Sequence, residues 1–312
     1  MTPAIAVLGC GYWGQNHIKT LKALGHLCAV SDIDMDKAKH TASIHNVEAI
    51  APSKLFSCDK IDAIILALPP QFHAENAILA IEHGKDVFIE KPISLDLKQA
   101  RCVIEHSKKR DSIVMVGHIL RFHSAFEELQ KQIDVGVIGN IKYINAKRWG
   151  FGKFHAKSDA MWDLAPHDLS LMLAIAKQEP TSVNIDGSQI LNDNFDFTEI
   201  NMQFGADIKA SLSVSRLSPY CERKFIVVGT KAIIIWDDMQ DWHNKLAIYE
   251  YHVDEKCQKG ECSQPTYIGL NKAMALNEEL KHFINCIKTR SIPRTCGEEG
   301  VAVLQILNML HK

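Results

Sequence analysis

The sequence predicts an α/β protein in which a doubly wound parallel sheet is followed by a second α/β domain with a large open, mainly antiparallel sheet. Two observations predict this fold class. Apolar, strand-length segments alternate with helical segments through the first 117 residues. Beyond about residue 119, predicted strands follow one another without intervening helices, which is typical of an antiparallel sheet. We therefore expect two domains, at residues 1–118 and 119–312.

The first predicted strand, at residues 4–8, runs directly into a glycine-rich turn and a helical pattern. Gly9 permits a tight turn, Gly11 lets the backbone approach a pyrophosphate, and Gly14 lets the helix pack closely on the strand. The N–H groups at the start of such a helix bind phosphate oxygens. The segment is typical of a Rossmann dinucleotide-binding turn, and an ordinary glycine turn is the alternative.

Asp32 follows the second predicted strand, at residues 27–31, and lies eighteen residues beyond Gly14. A carboxylate at this position accepts hydrogen bonds from the adenine-ribose hydroxyls and repels a 2′-phosphate. The sequence therefore predicts NAD rather than NADP as the cofactor. The alternative is that Asp32 caps the N-terminus of the next helix.

The remaining elements are predicted from apolar patterning. Apolar and polar residues alternate from Ile208 to Ser215, which predicts a half-buried antiparallel strand. In the first domain the patterns predict helices at 35–45, 72–83 and 97–109 and strands at 63–68, 87–89 and 113–116. In the second they predict strands at 141–149, 182–191, 198–204, 223–228, 231–236 and 245–251 and helices at 166–176, 271–288 and 298–311.

Composition narrows the class of protein. A formal net charge of −2 disfavours a nucleic-acid-binding or membrane-surface protein. The first strand begins within five residues of Met1, and no apolar run approaches the ~20 residues of a membrane span, so we expect a cytoplasmic protein. The nine cysteines lack C-x-x-C spacing, which predicts neither a disulfide framework nor a zinc site. The fifteen histidines form no metal-ligand motif, so we predict no metal.

The strand at 87–89 brings Glu90, Lys91 and Pro92 to the carboxyl edge of the sheet, where doubly wound folds bind ligands. A lysine there can hydrogen-bond a substrate hydroxyl and favour its deprotonated form, and Pro92 keeps Lys91 out of helical geometry. The alternative is an ion pair between Glu90 and a neighbour, with the Lys91 side chain in solvent.

Asp163 and His167 lie four residues apart, and therefore on one face, at the start of a predicted helix. Because Pro166 is tolerated in a first turn, the helix is predicted to begin near Ala165, with Asp163 just before it. A carboxylate there can orient the imidazole so that His167 acts as a base near neutral pH. The alternative is an N-cap aspartate beside an unrelated histidine.

Four motifs together resemble the Gfo/Idh/MocA oxidoreductases, in order and in spacing, across essentially the whole chain. They are the glycine segment 9–14, Leu68-Pro69-Pro70 with His73, Glu90-Lys91-Pro92, and Asp163-x-x-x-His167. The resemblance implies that Lys91, Asp163 and His167 are catalytic and that the second domain makes oligomer contacts. The cofactor-binding residues that it implies are Gly9, Gly11, Tyr12, Trp13, Gly14, Asp32, Leu68, Pro69, His73, Glu90 and Lys91.

Within this family, residues 117–123 and 162–168 resemble the sugar-nucleotide 3-dehydrogenase branch. The resemblance implies oxidation of the C3 hydroxyl of a UDP-amino sugar, such as UDP-N-acetylglucosamine, to a 3-keto sugar for a partner aminotransferase in lipopolysaccharide or lipid A biosynthesis. Inositol dehydrogenase, sugar dehydrogenase and keto-sugar reductase activities remain alternatives. A non-catalytic NAD-binding regulator is a further alternative, which the joint presence of Lys91 and His167 disfavours.

Two arginines, Arg121 and Arg148, are candidates for binding the substrate diphosphate, because guanidinium groups bind phosphate bidentately. A structural salt bridge is the alternative for each of them. Trp162 and His167 complete the predicted substrate-binding residues.

The predicted strand at 208–215 also bears on assembly. Its polar face carries Ser211, Ser213 and Ser215, and an open sheet face with so few charges predicts a sheet-to-sheet contact. We therefore expect a homodimer or homotetramer, with no nucleic-acid or membrane partner.

Overall fold

The computed structural model describes residues 2–152, 159–191, 193–254 and 259–311. The chain forms two compact units, one from Met1–Ile119 and Met274–Gln305 and the other from Leu120–Ala273 and Ile306–Lys312. The first change of unit lies one residue beyond the predicted boundary at 118. The C-terminal segment differs from the expectation, because residues 274–305 pack with the first unit rather than with the second.

The strands, in chain order, are β1 (Ile5–Leu8), β2 (Leu27–Ser31), β3 (Glu48–Ala49), β4 (Ala63–Leu66), β5 (Asp86–Ile89), β6 (Val114–Val116), β7 (Ile141–Phe151), β8 (Ser182–Ser188), β9 (Phe197–Phe204), β10 (Ile208–Ser215), β11 (Leu217–Gly229), β12 (Ala232–Asp237), β13 (Leu246–Val253), β14 (Gly260–Cys262) and β15 (Thr266–Tyr267). The helices are α1 (Tyr12–Leu24), α2 (Met35–His45), α3 (Pro52–Leu55), α4 (His73–Glu82), α5 (Leu97–Arg110), α6 (Ser124–Asp134), α7 (Ala160–Ala176), α8 (Ala275–Thr289) and α9 (Gly297–Leu307). Short 3-10 segments lie at Pro70–Phe72, Ile119–Phe122 and Asn308–His311.

The first unit is built on a parallel sheet with the strand order β3-β2-β1-β4-β5-β6. Every residue of β1, β4, β5 and β6 is buried, as expected for a parallel sheet that is covered on both faces. The chain moves to one side of β1 for β2 and to the other for β4. The carboxyl ends of β1 and β4 therefore flank the topological switch point, where such folds bind ligands.

The C-terminal helices belong to this unit because of specific long-range contacts. Phe283 of α8 packs edge-to-face on Phe88 of β5, with 5.6 Å between ring centroids. The hydroxyl of Thr295 donates to the carbonyl oxygen of Val116 at 2.7 Å, and the N–H of Val116 donates to the carbonyl oxygen of Thr295 at 2.8 Å. The two hydrogen bonds between Val116 and Thr295 continue the backbone pairing at the end of β6. They join residues that are far apart in sequence.

The second unit contains a nine-stranded sheet, counted over the described residues, with the order β14-β13-β12-β11-β7-β10-β9-β8 and with β15 beside β13. All of its strand pairs are antiparallel except β7 with β10. Along β10, Ala210, Leu212 and Val214 are buried, while Lys209 is exposed and Ser211 and Ser213 are half-buried. The prediction that Ser215 lies on the open polar face is wrong, because Ser215 is buried and its hydroxyl oxygen accepts the N–H of Leu217 at 3.1 Å. The predicted mainly antiparallel sheet is confirmed, and so is the α/β fold class.

Two predicted features of the second unit are wrong. The sequence patterns predict no helix at 124–134, whereas α6 occupies that segment. Its N-cap is His123, whose Nδ1 accepts the N–H of Ala125 at 3.1 Å, and histidine is not among the residues that normally mark a helix start. The strand predicted at 182–191 ends at Ser188, because the N–H groups of Ile190 and Leu191 bond the carboxylate of Asp196 instead of a neighbouring strand.

No described helix combines the length and the hydropathy needed to cross a membrane. The eight cysteines within the described ranges are all free thiols, and Cys257 lies outside those ranges.

Candidate active site

The glycine turn after β1 has the geometry that a dinucleotide site requires. Gly9 has φ +103°, and a Cβ there would lie 2.3 Å from the carbonyl oxygen of Ala67. A Cβ at Gly14 would lie 1.9 Å from the carbonyl oxygen of Gly9. At Gly11, by contrast, a Cβ would meet no atom within 4 Å. The turn is therefore closely packed at Gly9 and Gly14 and open at Gly11. The open side leaves space for a pyrophosphate at the N-terminus of α1.

Asp32 lies beside this turn and is 8 % exposed. Its Oδ2 accepts the backbone N–H of Cys10 at 2.7 Å, and its Oδ1 accepts that of Asp34 at 3.0 Å. Burial alone would raise the pKa of Asp32, but these two hydrogen bonds and the nearby ammonium of Lys37 outweigh it and hold the pKa below its usual value. The N-cap of α2 is Asp34, so the capping alternative for Asp32 is wrong.

Two aromatic residues follow Gly11 at the start of α1. Tyr12 is 76 % exposed and Trp13 is 40 % exposed, and their rings meet edge-to-face with centroids 6.0 Å apart. An exposed pair of aromatic side chains at the mouth of the glycine turn is available to a ligand bound there.

His73 links the segments that follow β4 and β5. It is fully buried, and its Nδ1 lies 2.7 Å from the carbonyl oxygen of Pro92 while its Nε2 lies 2.8 Å from that of Leu68. Burial lowers the pKa of His73, and this effect outweighs the two carbonyl contacts and the charge of Glu90. His73 therefore ties the loop that contains Pro69, which is exposed, to the loop that contains Lys91.

Glu90 follows β5 and is engaged through both of its carboxylate oxygens. Its Oε1 lies 2.6 Å from Nε2 of His17, and its Oε2 accepts the backbone N–H of Lys91 at 3.2 Å. The Lys91–Pro92 peptide bond is cis. Sequence reasoning predicted Glu90 and Lys91 but missed His17, which lies on the buried face of α1 and has the pattern of an ordinary core position.

In the second unit, α7 begins earlier than predicted. Asp159 is its N-cap, with the carboxylate accepting the N–H of Trp162 at 2.8 Å, and Pro166 lies inside the helix rather than in its first turn. Asp163 therefore lies in the first turn instead of before the helix, and the N-cap alternative for it is wrong. Asp163 and His167 are both half-buried and lie one turn apart on the same helix face.

The two arginine candidates are both engaged within the second unit. Arg148 of β7 forms a bidentate ion pair with Asp168 of α7, at 2.5 Å from Nε to Oδ2 and 3.0 Å from Nη2 to Oδ1. Burial would lower the pKa of Arg148, but the charge and hydrogen bonds of Asp168 hold it above its usual value. Arg121 is 9 % exposed, donates to the carbonyl oxygen of Ser170 at 3.4 Å and lies over the ring of Phe126. The salt-bridge alternative is what the structure shows for Arg148.

Sequence reasoning named Asp168 only as part of a motif, although it is the buried partner of Arg148. A signal was present, because Asp168 follows His167 directly and a charged residue on the apolar part of a helix requires a partner. The sequence does not indicate which of the basic residues is that partner, since Arg148 lies 20 positions away on a different element.

Comparison with known proteins identifies the family. A profile described as an oxidoreductase family with an NAD-binding Rossmann fold matches residues 4–118, and a Gfo/Idh/MocA C-terminal domain profile matches residues 126–235. A UDP-N-acetylglucosamine 3-dehydrogenase from Acidithiobacillus ferrooxidans is 28 % identical over 308 residues, which cover 96 % of this chain and 93 % of that protein. A myo-inositol 2-dehydrogenase from Thermotoga maritima is 26 % identical, covering 96 % of this chain and 92 % of the relative.

The structural comparison agrees with the sequence comparison. The solved structure of UDP-N-acetylglucosamine 3-dehydrogenase GnnA from Acidithiobacillus ferrooxidans has a TM-score of 0.87 to this chain at 26 % identity, and covers 98 % of this chain and 95 % of that one. The glycine turn and Asp32 fit the cofactor that the family profile names, so the prediction of NAD is confirmed. The chain belongs to the Gfo/Idh/MocA family of NAD-dependent oxidoreductases, which act on CH–OH groups.

Proposed function

We propose that this protein oxidises the C3 hydroxyl of a UDP-amino sugar, similar to UDP-N-acetylglucosamine, to a 3-keto sugar nucleotide. The observation that carries the proposal is the similarity to the UDP-N-acetylglucosamine 3-dehydrogenase of Acidithiobacillus ferrooxidans over nearly the full length of both chains, in sequence and in fold. The Trp-Asp-Leu-Ala-Pro-His-Asp segment at 162–168 supports the same substrate class.

The catalytic residues that we propose are Lys91, Asp163 and His167. Bound NAD supplies the hydride acceptor for the oxidation. His167 removes the proton from the substrate hydroxyl, since imidazole is the side chain suited to proton transfer near neutral pH. Lys91 polarises the same oxygen with its ammonium group, and Asp163, one turn before His167 on α7, orients the imidazole.

Binding of the substrate requires a partner for the diphosphate. Arg121 and Arg148 remain the proposed candidates, together with Trp162 near the start of α7. The bidentate pairing of Arg148 with Asp168 supports a different task for Arg148, namely holding β7 against the helix that carries His167.

A second candidate function is an inositol dehydrogenase. The observation in its favour is that the myo-inositol 2-dehydrogenase from Thermotoga maritima is 26 % identical over nearly the same length, close to the 28 % of the UDP-N-acetylglucosamine enzyme. Members of one family can share a cofactor site and a catalytic lysine while differing in the residues that surround the substrate.

The test is a panel of purified UDP-sugars and free polyols with NAD, followed by NADH absorbance. We expect NADH formation with UDP-N-acetylglucosamine or a close relative, and none with myo-inositol. The Lys91→Ala variant, which removes the ammonium group and leaves the glycine turn intact, is the matched control and should form NADH far more slowly. Turnover of myo-inositol alone would replace the proposed substrate. Tight NAD binding without turnover of any compound would favour the regulator.

The proposal includes two partners. A 3-keto sugar nucleotide is an electrophilic carbonyl compound, so we propose that a partner aminotransferase consumes it. We also propose a homodimer or homotetramer formed through the open face of the C-terminal sheet. Support for that face comes from its side chains: Tyr143 and Asn145 contact the hydroxyl of Ser211, and the Trp149 Nε1–H donates to that of Ser213. Lys147 lies on the same face and pairs with Glu222, so the surface is polar and its charges are partly paired.

A further inference from the structure

A chain of hydrogen bonds joins α1 to the backbone of Lys91. The imidazole of His17 is fully buried, and its Nε2 lies 2.6 Å from Oε1 of Glu90. Because an ionised carboxylate only accepts hydrogen bonds, the Nε2–H of His17 is the donor. The second carboxylate oxygen, Oε2, accepts the backbone N–H of Lys91 at 3.2 Å. Glu90 therefore stands between His17 and the proposed catalytic lysine.

Packing holds this chain of bonds in one arrangement. The ring of His17 meets that of Phe88 edge-to-face at 5.2 Å between centroids, and Phe88 packs in turn on Phe283. On its other side the Glu90 carboxylate lies against Gly117, where a Cβ would come within 3.1 Å of Oε2. The fully buried imidazole cannot take another position without moving its neighbours.

A second buried carboxyl group lies on α8. Glu279 is 1 % exposed, and its Oε1 has no hydrogen-bond partner within the part of the chain that the structure describes. Burial first, and the charge of Glu90 second, raise the pKa of Glu279 well above its usual value. The charge of Glu90 therefore disfavours ionisation of Glu279, and the side-chain contact that the Glu90 carboxylate receives from α1 is that of His17.

We propose that His17 is a positioning residue: through the carboxylate of Glu90 it fixes the backbone of Lys91, and with it the ammonium group that polarises the substrate hydroxyl. The inference rests on the proposed function for the role of Lys91. Hydrogen bonds to an ionised acceptor are about twice as strong as neutral ones, which suits them to fixing a loop. Catalytic contacts are sensitive to such fixing, since a displacement of about 1 Å can cost roughly 100-fold in rate.

The kinetic test compares His17→Leu with His17→Gln. Leucine removes the donor and fills similar apolar space, whereas the glutamine amide restores an N–H donor. We expect kcat at saturating NAD to fall about 10- to 100-fold in His17→Leu and to recover most of that loss in His17→Gln. The dissociation constant of NAD should change little in both. If His17 only packs α1, the glutamine variant will lose NAD affinity and thermal stability while kcat stays at the wild-type value, which overturns the proposal.

Two further variants sharpen the comparison. Glu279→Gln changes a buried side chain that takes no part in the hydrogen bonds from His17 through Glu90 to Lys91, so it should keep the wild-type kcat. In a Glu90→Met background the acceptor is already gone, and His17→Leu should then cause no further loss of kcat. An additive loss in the double variant would show that His17 acts by a route other than Glu90.

A substrate-independent measurement separates this inference from the proposed function. The backbone N–H of Lys91 is bonded to Glu90, so its hydrogen exchange, followed by NMR, should speed up by about tenfold or more in His17→Leu and return towards the wild-type rate in His17→Gln. Unchanged exchange in His17→Leu overturns the inference for any substrate. If exchange responds as expected but the wild-type protein oxidises no sugar or polyol, the proposed function fails and the link from His17 to Lys91 stands.

Discussion

The carboxylate of Asp32 should determine the preference for NAD over NADP, and its surroundings allow the size of the effect to be worked out. It cannot swing away from an added 2′-phosphate, because the backbone N–H groups of Cys10 and Asp34 hold its two oxygens at 2.7 and 3.0 Å. The ammonium of Lys37 lies 3.4 Å away but is 45 % exposed, so it only partly screens the carboxylate. A phosphate at the ribose 2′ position would therefore meet a fixed negative charge.

The magnitude follows from Coulomb's law. At an effective dielectric constant of about 20 and a separation of about 5 Å, one added negative charge costs roughly 3 kcal/mol. That energy corresponds to about 10²- to 10³-fold weaker binding of NADP than of NAD. The hydrogen bonds that outweigh burial keep the pKa of Asp32 below its usual value, so Asp32 stays ionised. The preference for NAD should increase between about pH 5 and pH 8, because the 2′-phosphate of NADP gains its second negative charge near a pKa of about 6.

The assay is titration of intrinsic fluorescence, with Trp13 at the start of α1 as the reporter beside the cofactor. Wild-type protein should bind NAD at least 100-fold more tightly than NADP by the estimate of roughly 3 kcal/mol. Asp32→Ser should reduce this preference to about tenfold or less. The matched control is Asp34→Ser, which removes a carboxylate two residues away, keeps a capping hydroxyl at the N-terminus of α2 and should keep the preference. Equal dissociation constants for the two nucleotides in the wild-type protein would refute the reasoning.

Four other outcomes are expected. Replacing Lys91 by Ala or His167 by Asn should lower kcat by roughly 10²- to 10⁴-fold, because each group acts on the developing alkoxide, and should change NAD affinity little. If the His167→Asn variant turns over at near the wild-type rate, His167 is not the base. Asp168→Ala leaves the guanidinium of Arg148 buried without its partner and should cost about 3–5 kcal/mol in urea unfolding, whereas a loss near zero would show that the pair is solvated. Burial raises the pKa of Glu279 in the folded state, so wild-type protein loses stability as pH rises above the pKa that Glu279 has in the unfolded chain. The Glu279→Gln variant should therefore have a higher melting temperature than wild type at alkaline pH and nearly the same melting temperature near pH 4. A difference in melting temperature that is constant with pH would contradict this. Sedimentation at micromolar concentration should show a dimer or tetramer, and a monomer would count against the sheet-face contact.

The first unit was largely predictable because its strands are buried on both faces. Such strands appear in the sequence as continuous apolar runs, and β2 and α2 have the bounds that were predicted for them, 27–31 and 35–45. The alternation along β10 likewise predicted the burial of Ala210, Leu212 and Val214, since a half-exposed strand places every second side chain in the core, but it did not predict the burial of Ser215. In both cases the signal is local, because the burial of each residue follows from its position in its own strand.

The return of α8 to the first unit was not predictable in this way. Its contacts with the first unit are long-range ones, such as that between Phe283 and Phe88, residues that lie on elements nearly two hundred positions apart. The start of α7 was missed for a different reason. Pro166 was used as a marker of the first turn, but Asp159 caps the helix earlier, and the proline lies between Asp163 and His167.

That position of Pro166 has a physical consequence for the proposed site. Proline has no N–H, so the carbonyl of Trp162, four residues earlier, lies outside the hydrogen-bond ladder of α7. The missing hydrogen bond lies in the turn that separates Asp163 from His167. A proline inside a helix normally lowers the free energy of unfolding by about 3 kcal/mol. The cap at Asp159 and the buried pair of Arg148 with Asp168 stabilise α7 on either side of this turn. With the turn anchored at both ends, α7 continues as one helix from Ala160 to Ala176, and Asp163 and His167 lie one turn apart on its surface.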